Sequence, residues 1–151
     1  MDISQRWFDD ISVGEVFEAG PHLMEEQRII EFATEFDPQR FHIDPVAAKD
    51  SIYGGLIASG WHTGAVLMKL LSTTLSPASL GSPGGDNLRW LAPVRPGDEL
   101  RLRVTVLSKT PSSTKPDRGL LVYRNEMYNQ TGIVVMSFES VMMMLRRSAD
   151  G

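Results

Sequence analysis

Between Leu100 and Val106 the chain alternates without a break: Leu100, Leu102, Val104 and Val106 are apolar, and Arg101, Arg103 and Thr105 stand between them. Side chains of a strand point to opposite faces in turn, so this run reads as a strand with one face in a core and one in water. Such a strand needs a sheet beside it and an apolar cover on one side. Segments 86–91, 120–129 and 133–145 read as further strands. They are joined by the turn Pro93-Val94-Arg95-Pro96-Gly97-Asp98, a polar connection over 111–119 and the hairpin-length Gln130-Thr131-Gly132. The expectation is a meander of four antiparallel strands, preceded by a short strand near 15–19 and a Ser/Pro/Gly-rich loop over 75–85. The cover is a helical pattern over 57–72. Ile57, Trp61, Ala65, Met68 and Leu71 share one face, and Leu56, Leu67 and Leu70 widen the stripe almost all round, so this helix is expected to be central and covered. The small residues Ala58, Ser59, Gly60, Gly64 and Ala65 let another backbone approach it closely.

This order gives the α+β class, with a long central helix lying against a curved antiparallel sheet. With 151 residues, no internal repeat and no linker, one domain over 1–151 is expected. The final strand is apolar on both faces (Val134, Val135, Met136, Phe138, Val141 to Leu145), more than one helix can cover. A homodimer, or an additional packed element, is expected to cover the rest.

A second helical pattern over 24–36 should end at Phe36, because the residue before Pro38 resists helical geometry. It delivers the chain into Phe36-Asp37-Pro38-Gln39-Arg40-Phe41-His42-Ile43-Asp44-Pro45. This stretch brings an acid, an amide and an imidazole into one stiff loop, with both carboxylates expected outside helices. Acid-base chemistry suits such a loop, since an acid and an imidazole must reach one proton at about 2.6–3.2 Å. Asp44 reads more simply as the N-cap of a short helical turn whose first position is Pro45.

Composition removes several other classes. Fifteen basic and nineteen acidic residues give a net charge of -4 with no run of like charge, which speaks against a general affinity for nucleic acid. There are no cysteines, so thiolate nucleophiles, disulfides and Cys-ligated zinc are out. His22, His42 and His62 lack the spacing of a helical metal motif, and no metal site is expected. No basic region followed by an apolar core opens the chain, and the most apolar helical stretch is broken by His62 and Lys69; neither a secretory leader nor a membrane span is expected, and a cytoplasmic location is.

The central stretch resembles the MaoC-like, (R)-specific enoyl-CoA hydratases of the hotdog fold. That family carries an Asp, an Asn two residues on, a His five residues after the Asp, and an acidic residue two further on; Asp37, His42 and Asp44 stand at those places. Ile57-Ala58-Ser59-Gly60 matches the family's Ile-x-x-Gly, and Arg89, Pro93-Val94 and Gly97-Asp98 match its downstream pattern, so the likeness runs over 12–147. Gln39 replaces the usual Asn, Arg40 the usual Pro, and Ser59 a frequent His. The resemblance implies a hydro-lyase acting on an acyl-CoA or acyl carrier protein thioester, with no cofactor beyond the coenzyme A of the substrate. It implies Asp37 and His42 as a joint acid-base pair, the Gly60 backbone N–H as oxyanion donor, and Gln39 as a brace for the loop. Phe41, Ile57, Ser59 and Trp61 are expected around the site as substrate contacts or loop support. Taken singly, Phe41, Tyr53 and Trp61 read more simply as core residues, and His22 and His62 as structural or surface groups. Arg89, Arg95 and Arg101 are candidates for phosphate contacts, with solvated strand-edge charge as the default. Two other functions stay open. One is thioester hydrolysis, which needs no His partner for the acid; the other is non-catalytic binding of an acyl thioester.

Overall fold

A computed structural model describes residues 6–147. The reading of the first five residues as leaderless, and the last four residues of the expected domain, lie outside the described residues. After a 3-10 turn at Phe8–Asp10 come β1 (Val16–Leu23), α1 (Glu26–Phe36), the one-turn helices α2 (Arg40–Ile43) and α3 (Pro45–Ala48), and α4 (Gly60–Ser72). Strands β2 (Ser79–Trp90), β3 (Glu99–Pro111), β4 (Arg118–Tyr128) and β5 (Val134–Leu145) complete the chain. All five strands form one antiparallel sheet in the order β1-β3-β4-β5-β2.

The alternation on β3 is realised in full. Leu100, Leu102, Val104 and Val106 are buried, and with Val66, Leu67, Leu70 and Leu71 of α4 they belong to one core. Each such side chain contributes roughly 1.5–3 kcal/mol by leaving water.

Three expectations are corrected. The meander is only three strands long, because β2 pairs with β5 rather than β3. The connection over 91–98 therefore crosses the end of the sheet. Segment 79–85 is not a loop but the first half of β2, an irregular edge strand whose pairing slips between Ser79 and Gly81 and between Gly81 and Gly84. Its glycines have two reasons: Gly81 and Gly84 sit at φ +90° and +148°, and a side chain at Gly85 would run into the Glu139 carbonyl and the Phe138 ring. Finally, α4 begins at Gly60, not Ile57, and is covered on one side only. The Ile57 and Ala58 N–H groups donate to Phe41 O (3.1 Å) and Val94 O (2.8 Å), so this segment is extended. The buried stripe of α4 is His62, Thr63, Val66, Leu67, Leu70 and Leu71, while Trp61 and Met68 face outward because the sheet lies on one side.

The turn before β3 is held by Asp98. Its carboxylate accepts from the Arg95 N–H (2.8 Å) and from Gln130 Nε2 (3.0 Å), while its carbonyl accepts from the Met24 N–H (2.8 Å). One buried acid thus ties the crossing connection, the β4–β5 turn and the entry to α1 together. Replacing it strands two donors, so Asp98→Ala should lower unfolding free energy by about 1–3 kcal/mol, measurable by urea denaturation; an unchanged midpoint would mean that the turn holds itself.

Candidate active site

Helix α1 ends where Pro38 requires it. The Asp37 N–H closes the helix on Ala33 O (2.8 Å), and Asp37 itself leaves helical geometry at φ -156°. The loop that follows is not irregular throughout, since Arg40–Ile43 winds one helical turn and places His42 inward. Asp44 caps α3 as expected, its Oδ1 accepting from the Val46 (3.0 Å) and Ala47 (3.1 Å) N–H groups.

His42 Nδ1 lies 2.7 Å from the Ile57 carbonyl oxygen. A carbonyl only accepts, so Nδ1 carries the proton, and in the neutral ring Nε2 presents a lone pair. That nitrogen lies 3.3 Å from Asp37 Oδ2. The same oxygen accepts from Ser59 Oγ (2.7 Å), and Asp37 Oδ1 accepts from Gln39 Nε2 (2.7 Å). Burial pushes the Asp37 carboxyl up, but the Gln39 and Ser59 hydrogen bonds, with a smaller contribution from His42 when its ring is protonated, outweigh it and hold the group below the ordinary carboxylate value. Asp37 is therefore ionised at neutral pH. Ser59 has a second duty as the N-cap of α4, with the Trp61 N–H donating to its Oγ at 3.3 Å.

These groups meet at a cavity of about 480 Å³. Of the residues expected in a site, Asp37, Gln39, Phe41, His42, Ile57, Gly60 and Trp61 line it; Ser59 is fully buried behind the wall and reaches the site through Asp37. Phe41 stands edge-on to the His42 ring, centroids 4.5 Å apart, and packs against Tyr53 at 5.2 Å. Gly60 is the first residue of α4, so its N–H has no partner inside the helix. The space a side chain would need at Gly60 is filled by the Trp90 indole, whose Nε1–H donates to Gly60 O at 2.9 Å.

Sequence reasoning missed Trp90, Thr63 and the segment Leu91–Val94 as walls. Trp90 adjoins the Arg89 of the downstream pattern, and a large apolar side chain at a strand end beside a proline turn was the available signal. Arg89, Arg95 and Arg101 are not in the cavity wall; Arg95 Nη2 instead donates to Tyr53 O (2.6 Å) and Arg89 Nη1 to Leu88 O (3.1 Å). Among the described residues no helix is long and apolar enough to cross a membrane, and no cluster of three His, Asp or Glu side chains could hold a metal ion.

Comparison with known proteins bears on the family and the fold. The family model described as MaoC like domain matches residues 10–120. The uncharacterised Bacillus subtilis protein YdeM is 32% identical over 133 residues, 87% of this chain and 93% of that protein. The crystal structure of the MaoC-like dehydratase from Rhodospirillum rubrum is 42% identical with a TM-score of 0.88, covering 95% of this chain and 99% of that one. An R-hydratase from Pseudomonas aeruginosa in unliganded form is 26% identical with a TM-score of 0.76, covering 93% and 86% of the two chains. The shared architecture is the hotdog fold, as the sequence resemblance implied.

His62 lies on the opposite side of α4, buried and stacked on Phe32 with centroids 4.7 Å apart. Its burial, with the nearby His22 and Arg28 charges, pushes its pKa down to about 4 from 6.5. The unfolded chain then binds a proton that the folded chain refuses, so stability is fully present above about pH 6.5 and is lost as pH falls toward 4. Between pH 7 and pH 5 this group should account for roughly 1–2 kcal/mol of lost stability. Denaturation of a His62→Gln variant at the two pH values should show a correspondingly smaller loss; an equal loss would assign the acid sensitivity to other groups.

Proposed function

The chain belongs to the MaoC-like domain family, and we propose that it is a hydro-lyase that adds water reversibly to a trans-2-enoyl thioester to give the 3-hydroxyacyl thioester. The likeness to a MaoC-like dehydratase and to an R-hydratase supports hydration and dehydration chemistry in the broad sense. The observation that carries the finer reading is the pairing of Asp37 Oδ2 with His42 Nε2 at 3.3 Å in the cavity wall, with Nδ1 held at 2.7 Å by the Ile57 carbonyl.

Two acceptors side by side are what a water molecule needs. One of its hydrogens points at the Nε2 lone pair and the other at Asp37 Oδ2, leaving an oxygen lone pair for C3 of the enoyl group. As the C3–O bond forms, one proton passes to the pair and the π electrons move onto the thioester oxygen as an enolate. The same proton returns to C2, and the enolate collapses to the thioester, so the sum is addition of one water. Asp37 and His42 act as one coupled acid-base unit. The Gly60 N–H, with the dipole of α4 behind it, receives the enolate oxygen. Gln39 and Ser59 hold the carboxylate, Ile57 sets the imidazole tautomer, and Phe41 and Trp61 form apolar wall. The thioester is carried by coenzyme A or an acyl carrier protein, and no separate cofactor enters the reaction. A homodimer belongs to the same proposal, supported by Val141 and Met143, which remain only half-covered on β5.

Asp37→Asn and His42→Gln should each lower kcat by about 10²–10⁴-fold while circular dichroism and thioester affinity stay near wild type. The assay is loss of the conjugated enoyl-thioester absorbance with crotonyl-CoA and a longer trans-2-enoyl-CoA. Near-normal turnover in both variants would sink the pair.

A further inference from the structure

Serine and threonine hydroxyls in helices ordinarily donate to a carbonyl one turn back. This protein follows that habit repeatedly. Thr34 Oγ1 donates to Ile30 O, Ser72 Oγ to Lys69 O, Thr73 Oγ1 to Leu70 O and Thr74 Oγ1 to Leu71 O, each at 2.7 Å. Thr63 departs from it. The carbonyl one turn back, Ser59 O, accepts the His62 (3.0 Å) and Thr63 (3.2 Å) N–H groups, but the Thr63 hydroxyl has no hydrogen-bond partner among the described residues.

Thr63 is 1% exposed and lines the active-site cavity. It stands three residues after Gly60, on the same side of α4, and helical side chains lean toward the N-terminus, so it reaches back over the turn that Gly60 opens. Its oxygen is not sealed from solvent, so its hydrogen is free to be given to whatever occupies the cavity. The site has one unmet need of this kind. The water already has its two acceptors in Asp37 and His42, whereas the enolate oxygen has a single donor, the Gly60 N–H. A threonine hydroxyl has one hydrogen to give.

We propose that the Thr63 hydroxyl is a second donor to the thioester oxygen, forming with the Gly60 N–H a two-donor pocket for the enolate. This rests on the hydration reading above. Because the developing charge is larger in the transition state than in the bound thioester, the loss appears in kcat more than in KM.

The isosteric Thr63→Val exchanges hydroxyl for methyl, and Thr63→Ser keeps the donor. Thr63→Val should lower kcat on crotonyl-CoA by about 10²-fold with KM little changed. Its melting temperature should stay near that of the wild type, since the exchange keeps the shape of the side chain and removes no hydrogen bond within the protein. Thr63→Ser should recover most of the rate. A second readout needs no turnover: cinnamoyl-CoA bound to the Asp37→Asn protein should absorb further to the red than free cinnamoyl-CoA, because donors at the carbonyl polarise the conjugated system, and adding Thr63→Val should shrink that shift. An unchanged rate and an unchanged absorption maximum in the Thr63→Val proteins would overturn the proposal, as would a Thr63→Ser protein no faster than Thr63→Val. A wild-type protein inert toward crotonyl-CoA whose Asp37→Asn form still shows a Thr63-dependent red shift would sink the hydration reading and leave the donor standing.

Discussion

The hydrogen bond from His42 Nδ1 to the Ile57 carbonyl decides how the imidazole can be used. It joins residues fifteen apart in sequence, is buried, and leaves only Nε2 facing the acid. That carbonyl is available because α4 starts late. In a helix beginning at Ile57, the Trp61 N–H would take the Ile57 oxygen. Here the Trp61 N–H is satisfied by Ser59 Oγ instead, and the Ile57 oxygen is left for the histidine. The cap on one helix and the tautomer of one side chain are therefore two results of a single backbone choice.

The sheet contributes position more than chemistry. Its β3 face and the inner stripe of α4 form the core that fixes the helix axis. The crossing connection then carries Pro93 and Val94 to the cavity, and the Val94 carbonyl accepts the Ala58 N–H (2.8 Å), locking the extended segment that precedes α4. Asp98 holds the same connection at its far end. Rigid strands thus support a site made mostly of helix ends and loops, with Trp90 at the end of β2 closing one wall, an arrangement in which small side-chain changes alter the chemistry without disturbing the core.

Much of this was legible in the residues. The period of two on β3, the stop of α1 before Pro38 and the cap at Asp44 are local matters, decided by side-chain alternation, ring geometry and a carboxylate within reach of two N–H groups. What could not be read were choices made between distant segments. The pairing of β2 with β5 depends on which edge the first strand already occupies. The start of α4 depends on Phe41 O and Val94 O taking the N–H groups of Ile57 and Ala58. The outward turn of Trp61 and Met68 followed from a stripe so broad that periodicity could not say which part would be left uncovered. Asp37, His42 and Gly60 were reached through spacing and resemblance, whereas Thr63 belongs to no local pattern, and the local signal at Trp90 gains its meaning only when helix and strand are brought together.

Ser59 links two of these features in a single relay. Its oxygen receives the Trp61 N–H at the first turn of α4, and its hydrogen goes to Asp37 Oδ2. Bonds in such a chain polarise one another, so a negative charge on the carboxylate makes the serine oxygen a better acceptor for the helix. The reverse also holds: whenever Asp37 takes up a proton, the end of the helix loses part of its hold. The charge state of the acid is thereby felt along the backbone that presents Gly60, and one residue lets the two halves of the site sense each other through a thread of two hydrogen bonds.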